Sequence, residues 1–152
     1  MVVTFLGHSN IACHSILKDM VIDTIRKNTS VHDQINFYLG GYGDFDEICA
    51  CACRELRKEY SQIELVYVTP YMGIREQEII KDLQAKGMYD TSVYPPLEGI
   101  PLRLAILKRN EWMIRNSDVI KAYITHNFGG AYKGVEYAKR IGKRVINICE
   151  LM

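Results

Sequence analysis

Short β-rich apolar runs alternate with longer stretches of helical spacing along this chain, and no other feature narrows its fold as much. Strand candidates are Val2–Leu6, Asn36–Leu39, Ile63–Val68, Asp118–Ile124 and Arg144–Ile148. Helical spacing is expected over about 44–60, 74–86, 101–116 and 131–141, and residues 9–33 read as helical or irregular. Strands separated by helices cannot pair as tight hairpins, so they join by crossovers into a parallel sheet covered on both faces. The expected architecture is a single Rossmann-like, three-layer α/β/α domain over residues 1–152, with a mainly parallel five-stranded sheet and right-handed crossovers. Asp44 is the expected cap of its helix, and Gly87 and Gly142 are the expected stops. Met88–Ile100, with Pro95, Pro96 and Gly99, reads as a long loop, either a binding loop or a plain connection.

Composition removes several classes of function. With 152 residues, 48% apolar and 24% charged, the chain suits one globular domain. A net charge of +1 gives no strong basic field, so no nucleic-acid partner is expected. No long apolar run argues for a membrane partner. The opening residues lack the basic region of a signal peptide. Together with five cysteines, an odd number, this points to reduced thiols and a cytoplasmic location. Cys49, Cys51 and Cys53 alternate within a helical stretch, where residues two apart face different sides. No metal site and no cofactor is therefore expected.

In parallel α/β sheets, ligands bind at the carboxyl ends of the strands. Here those ends read Gly7-His8-Ser9, Gly40-Gly41-Tyr42-Gly43, Thr69-Pro70-Tyr71 and Thr125-His126-Asn127-Phe128-Gly129-Gly130. Glycines at such turns let a ligand approach the backbone. Gly129-Gly130 should open a helix, whose free N–H groups attract a phosphate. Arg109 and Glu136 flank that turn in sequence and supply a cation and a carboxylate for the same cavity. The pair also fits two unrelated solvated charges. His8 and His126 are candidate ligand contacts, whereas His14 and His32 read as surface residues. No dinucleotide fingerprint and no P-loop is present, which argues against hydride and phosphoryl transfer.

These strand ends, taken in order, resemble the SLOG superfamily of Rossmann-like proteins, which includes the "lonely guy" phosphoribohydrolases. Gly7-His8-Ser9 stands where that family has Gly-Ser-Ser, and Gly40-Gly41-Tyr42-Gly43 where it has three glycines. Arg109 and Met113 match its Arg-Lys-x-x-Met motif. Gly129, Gly130 and Glu136 match Pro-Gly-Gly-x-Gly-Thr-x-x-Glu, but Phe128 replaces its Pro and Tyr132-Lys133 its Gly-Thr. The pattern looks closer to the bacterial YpsA-type branch than to the cytokinin-activating enzymes.

The resemblance implies a small-molecule nucleotide as partner and cleavage of the N-glycosidic bond of a nucleoside 5′-monophosphate. Arg109 and Glu136 would be catalytic, with Glu111 an alternative carboxylate. Gly7, His8, Ser9, Gly40, Gly41, Gly43, Thr69, Gly129, Gly130 and Lys133 would bind the ligand or its phosphate. The altered Tyr132-Lys133 favours the other reading, a module that senses a nucleotide without cutting it. The resemblance also implies a homodimer or higher homo-oligomer, with Trp112 and Met113 on a helix suited to pairing.

Overall fold

The computed structural model describes residues 1–28 and 33–151; His32 lies outside them. The architecture is the expected three-layer α/β domain, with six strands instead of five. In chain order the elements are β1 (Val2–Gly7), α1 (His14–Asn28), β2 (Ile35–Leu39), α2 (Asp44–Glu59), β3 (Ile63–Val68) and α3 (Ile74–Ala85). They continue with β4 (Thr91–Val93), α4 (Ala105–Arg115), β5 (Val119–Tyr123), α5 (Gly130–Arg140) and β6 (Arg144–Asn147). Every strand pairing is parallel, and the sheet order is β4-β3-β2-β1-β5-β6. The strand missing from the sequence reading is β4, inside the segment taken as a loop. It is three residues long and sits on the sheet edge beside β3.

Burial explains why the runs became strands. Val3, Thr4, Phe5 and Leu6 of β1 are all buried, as a central strand covered on both faces requires. One face packs on α1 and α2, where Phe5, Phe37 and Leu39 meet Val21, Ile25, Ile48 and Leu56. The other packs on α4 and α5, where Leu6, Ile120 and Ala122 meet Ile114, Val135 and Ala138. Cys49 and Cys53 of α2 are fully buried against the sheet, while Cys51 points outward toward Glu47 and Arg54. No cluster of metal-ligating side chains occurs among the described residues. Lys121 in β5 is fully buried, and its Nζ donates to the Thr24 carbonyl at 3.3 Å. Burial, with Arg144 nearby, pushes its pKa down to about 8.

The N-cap of α2 is Gly43, at φ 88°, rather than Asp44. The Asp44 carboxylate instead accepts the Ile11 N–H at 2.8 Å, tying the segment after β1 to the start of α2. The sheet order reverses direction between β1 and β5, the point at which parallel α/β sheets open a crevice. Among the described residues no helix is long and apolar enough to cross a membrane.

Candidate functional site

A cleft of about 540 Å³ opens at the carboxyl ends of β1 and β5. Gly7 to Asn10 from the end of β1 and Tyr42 and Gly43 after β2 form one side. His126 and Phe128 to Ala131 after β5 form the other, and Ile106, Arg109, Asn110 and Met113 of α4 close the back. Two helices begin at this cleft. The caps of α2 and α5 are Gly43 and Gly129, at φ 88° and 93°, and neither start has a side-chain cap bond. Positive φ accounts for both glycines.

Gly130 has no such explanation. Its φ is not positive, and a Cβ placed there would meet no atom within 4 Å. Neither backbone geometry nor packing requires a glycine, whereas a ligand seated on the α5 N-terminus would. The two helix starts also differ in charge. The first turn of α2 carries Asp44, Asp46 and Glu47, while that of α5 has no acidic residue. An anion is therefore favoured at α5 and repelled at α2.

Arg109 is only 2% exposed. Its Nη1 donates to the Gly40 and Val68 carbonyls, both at 2.8 Å, and its Nε donates to Asn110 Oδ1 at 2.9 Å. The guanidinium thus clamps the ends of β2 and β3 to α4, and Nη2 has no protein partner among the described residues. Burial lowers its pKa, but an arginine remains charged. Gly40 is a glycine because a Cβ there would lie 2.9 Å from the Arg109 Cζ.

Asp46, in the first turn of α2, also lines the cleft. Its Oδ2 accepts the Tyr42 N–H at 2.9 Å. Burial raises its pKa to about 6, against the lowering effects of that hydrogen bond and of Arg109. Across the cleft, the rings of His8 and His126 stack at 3.6 Å between centroids, and Phe128 leans on His126 at 4.0 Å. His8 Nε2 accepts the Thr125 N–H at 3.0 Å, so its proton sits on Nδ1 when neutral. Burial, then the neighbouring His126, lower its pKa and so favour the neutral ring. Phe128 is 68% exposed and Tyr42 44%, leaving aromatic surface free at the mouth. The Arg109 guanidinium lies over the Tyr42 ring at 5.6 Å.

Of the residues expected at the site, Gly7, His8, Ser9, Gly43, Arg109, Gly129 and Gly130 come together in this cleft. Gly40 and Gly41 lie behind it, giving room to Arg109 and to Tyr67. Thr69 is buried in a turn, its hydroxyl donating to the Tyr71 carbonyl at 2.7 Å. Lys133 and Glu136 are not brought in. They line smaller grooves along the outer side of α5, where Glu136 is exposed and lies 3.9 Å from Lys139. Asp46 and Tyr42 were missed as site residues. The only signal for Asp46 was an acidic residue three places after Gly43, which also reads as an ordinary helix cap.

The strand order, the crevice position and the glycine-capped helices define a Rossmann-like, three-layer α/β fold. Three solved structures share it. The first is TM1055, a structural genomics target, with a TM-score of 0.60 and 19% identity over 95% of this chain and 71% of that one. The second is DNA processing protein A from Helicobacter pylori, with a TM-score of 0.61 and 18% identity over 95% of this chain and 63% of that one. The third is DNA processing protein A (DprA) from Streptococcus pneumoniae, with a TM-score of 0.50 and 12% identity over 97% of this chain and 59% of that one. The chain thus spans under two thirds of either DNA processing protein. No protein-family model and no curated protein sequence matches it. The Helicobacter pylori structure was described for its single-stranded DNA binding mode. That finding corrects the expectation of no nucleic-acid partner. Net charge averages over the whole surface and does not exclude a fold on which single-stranded DNA is bound elsewhere.

Proposed function

We propose that the cleft binds a nucleoside 5′-phosphate, with the phosphate on the N-terminus of α5 and the base against the aromatic surface of Phe128 and His126. The observation that carries this reading is Gly130, a glycine that neither φ nor packing requires, at an uncapped helix start free of acidic residues. Arg109 supports it as a buried cation with one nitrogen unspent. Base stacking on exposed rings is tolerant of sequence and contributes about 1–3 kcal/mol per base. Calorimetric titration with a panel of nucleoside 5′-monophosphates tests the reading. Saturable binding that Phe128→Ala weakens supports it, and no heat with any of them refutes it.

A second reading takes the same phosphate and base from a single-stranded DNA end, favoured by the fold shared with the Helicobacter pylori protein. Short oligodeoxynucleotides with and without a 5′-phosphate separate the two. Hydrolysis of the N-glycosidic bond is a further step, implied by the motif likeness and by Glu136. Because Glu136 lies on the outer groove, the hydrolytic reading requires free base to appear from a nucleoside monophosphate and to vanish in Glu136→Ala. Binding without release of base favours a sensing module.

A further inference from the structure

Asp46 has no role in the reading above, and its surroundings call for one. It lines the cleft beside Arg109 and Tyr42, and it is the only carboxylate among the lining residues. As a helix-start residue it needs one oxygen, and Oδ2 fills that need through the Tyr42 N–H. Oδ1 accepts no hydrogen bond among the described residues. Burial makes the ionised carboxylate costly, because the raised pKa leaves it charged near neutrality in a site that disfavours the charge. The charge of Arg109 works against that rise, but among the described residues the two side chains form no ion pair.

The acidic start of α2 also sets the direction of a ligand. A phosphate goes to α5, where no acidic residue opposes it, and away from Asp46. What meets Asp46 must donate a hydrogen bond. In a nucleotide anchored by its 5′-phosphate, the sugar follows the phosphate, and its hydroxyls are donors within the same cleft. We propose that Asp46 is a specificity-determining residue that accepts the 2′-hydroxyl of the bound nucleotide and so favours ribonucleotides over 2′-deoxyribonucleotides. This rests on the nucleotide reading of the cleft and adds the choice of sugar to it.

The test is titration of wild-type protein and Asp46→Asn with adenosine 5′-monophosphate, its 2′-deoxy counterpart and inorganic phosphate at pH 8. Asparagine keeps an oxygen for the Tyr42 N–H, so the helix start survives. A hydrogen bond to a charged group predicts that wild type prefers the ribonucleotide by roughly 10- to 100-fold. In Asp46→Asn that preference falls below about threefold, while affinity for inorganic phosphate is retained or rises, because a repelling charge is removed. Equal affinity of wild type for the two nucleotides, or an unchanged preference in the variant, overturns the role of Asp46 alone. Failure of wild type to bind any of the three probes overturns the nucleotide reading with it.

Discussion

Replacing Asp46 by Asn should stabilise the protein, and the size and pH dependence of the gain follow from the cleft. In the folded chain its pKa rises from an ordinary 3.8 to about 6, with burial the main cause. At about 1.4 kcal/mol per pH unit, that rise corresponds to about 3 kcal/mol lost from stability when the group is ionised. Solvent in the open cleft screens part of this, so a gain of about 1–2 kcal/mol is expected from Asp46→Asn at pH 8. The sign follows from proton binding. Between pH 3.8 and 6 the folded state holds the proton more tightly than the unfolded state, so wild-type stability falls as pH rises through this window. The deficit is complete above it and absent below it. Urea unfolding of both proteins at pH 8 and pH 4 measures the effect. A gain at pH 8 that shrinks at pH 4 is expected. Equal stability at pH 8, or a difference independent of pH, would refute the reasoning. A residue whose removal stabilises the fold is one the fold itself does not require, which is common where side chains serve a ligand.

Lys121→Met should raise stability by about 2–3 kcal/mol at pH 7, because the buried ammonium is disfavoured until its proton leaves. Wild-type stability should gain from this group as pH rises from about 8 to 10.5, and the variant should lack that rise in chemical unfolding. Gly130→Ala should leave thermal stability equal or slightly higher, since alanine suits a helix start with empty space around it, while weakening nucleotide binding at least tenfold by calorimetry. Arg109→Met should cost about 3–5 kcal/mol in urea unfolding, because the Gly40 and Val68 carbonyls lose a charged donor in a buried place.

The alternation of strands and helices was legible because each element buries its own apolar face. The lead strands β1 and β3 read correctly from continuous apolar runs. β4 was not legible. Thr91-Ser92-Val93 has too few residues to show a period, and its place depends on β3 and on Asp90, whose carboxylate accepts the Leu65 N–H and pairs with Arg57. Arg109 was found by motif, but its clamp on two carbonyls depends on chain segments 69 and 41 residues away. Glu136 shows the limit of spacing read along the chain. Six residues beyond Gly130, it is rotated by about 240° around α5 and faces away from the turn it was expected to serve. Asp46 was hidden for the opposite reason. Its position marks a routine helix cap, and only the fold reveals that one oxygen is left over in the cleft.

Mapping a nucleotide onto the folded chain tests the central claim most directly. Amide chemical shifts recorded while a nucleoside 5′-monophosphate is added report which backbone groups meet it. The account predicts saturable shifts at Gly129, Gly130 and Ala131, with His8, His126 and Tyr42 following on the cleft walls. Shifts confined to the groove of Glu136, Lys139 and Asn147, or none at saturating nucleotide, would contradict it.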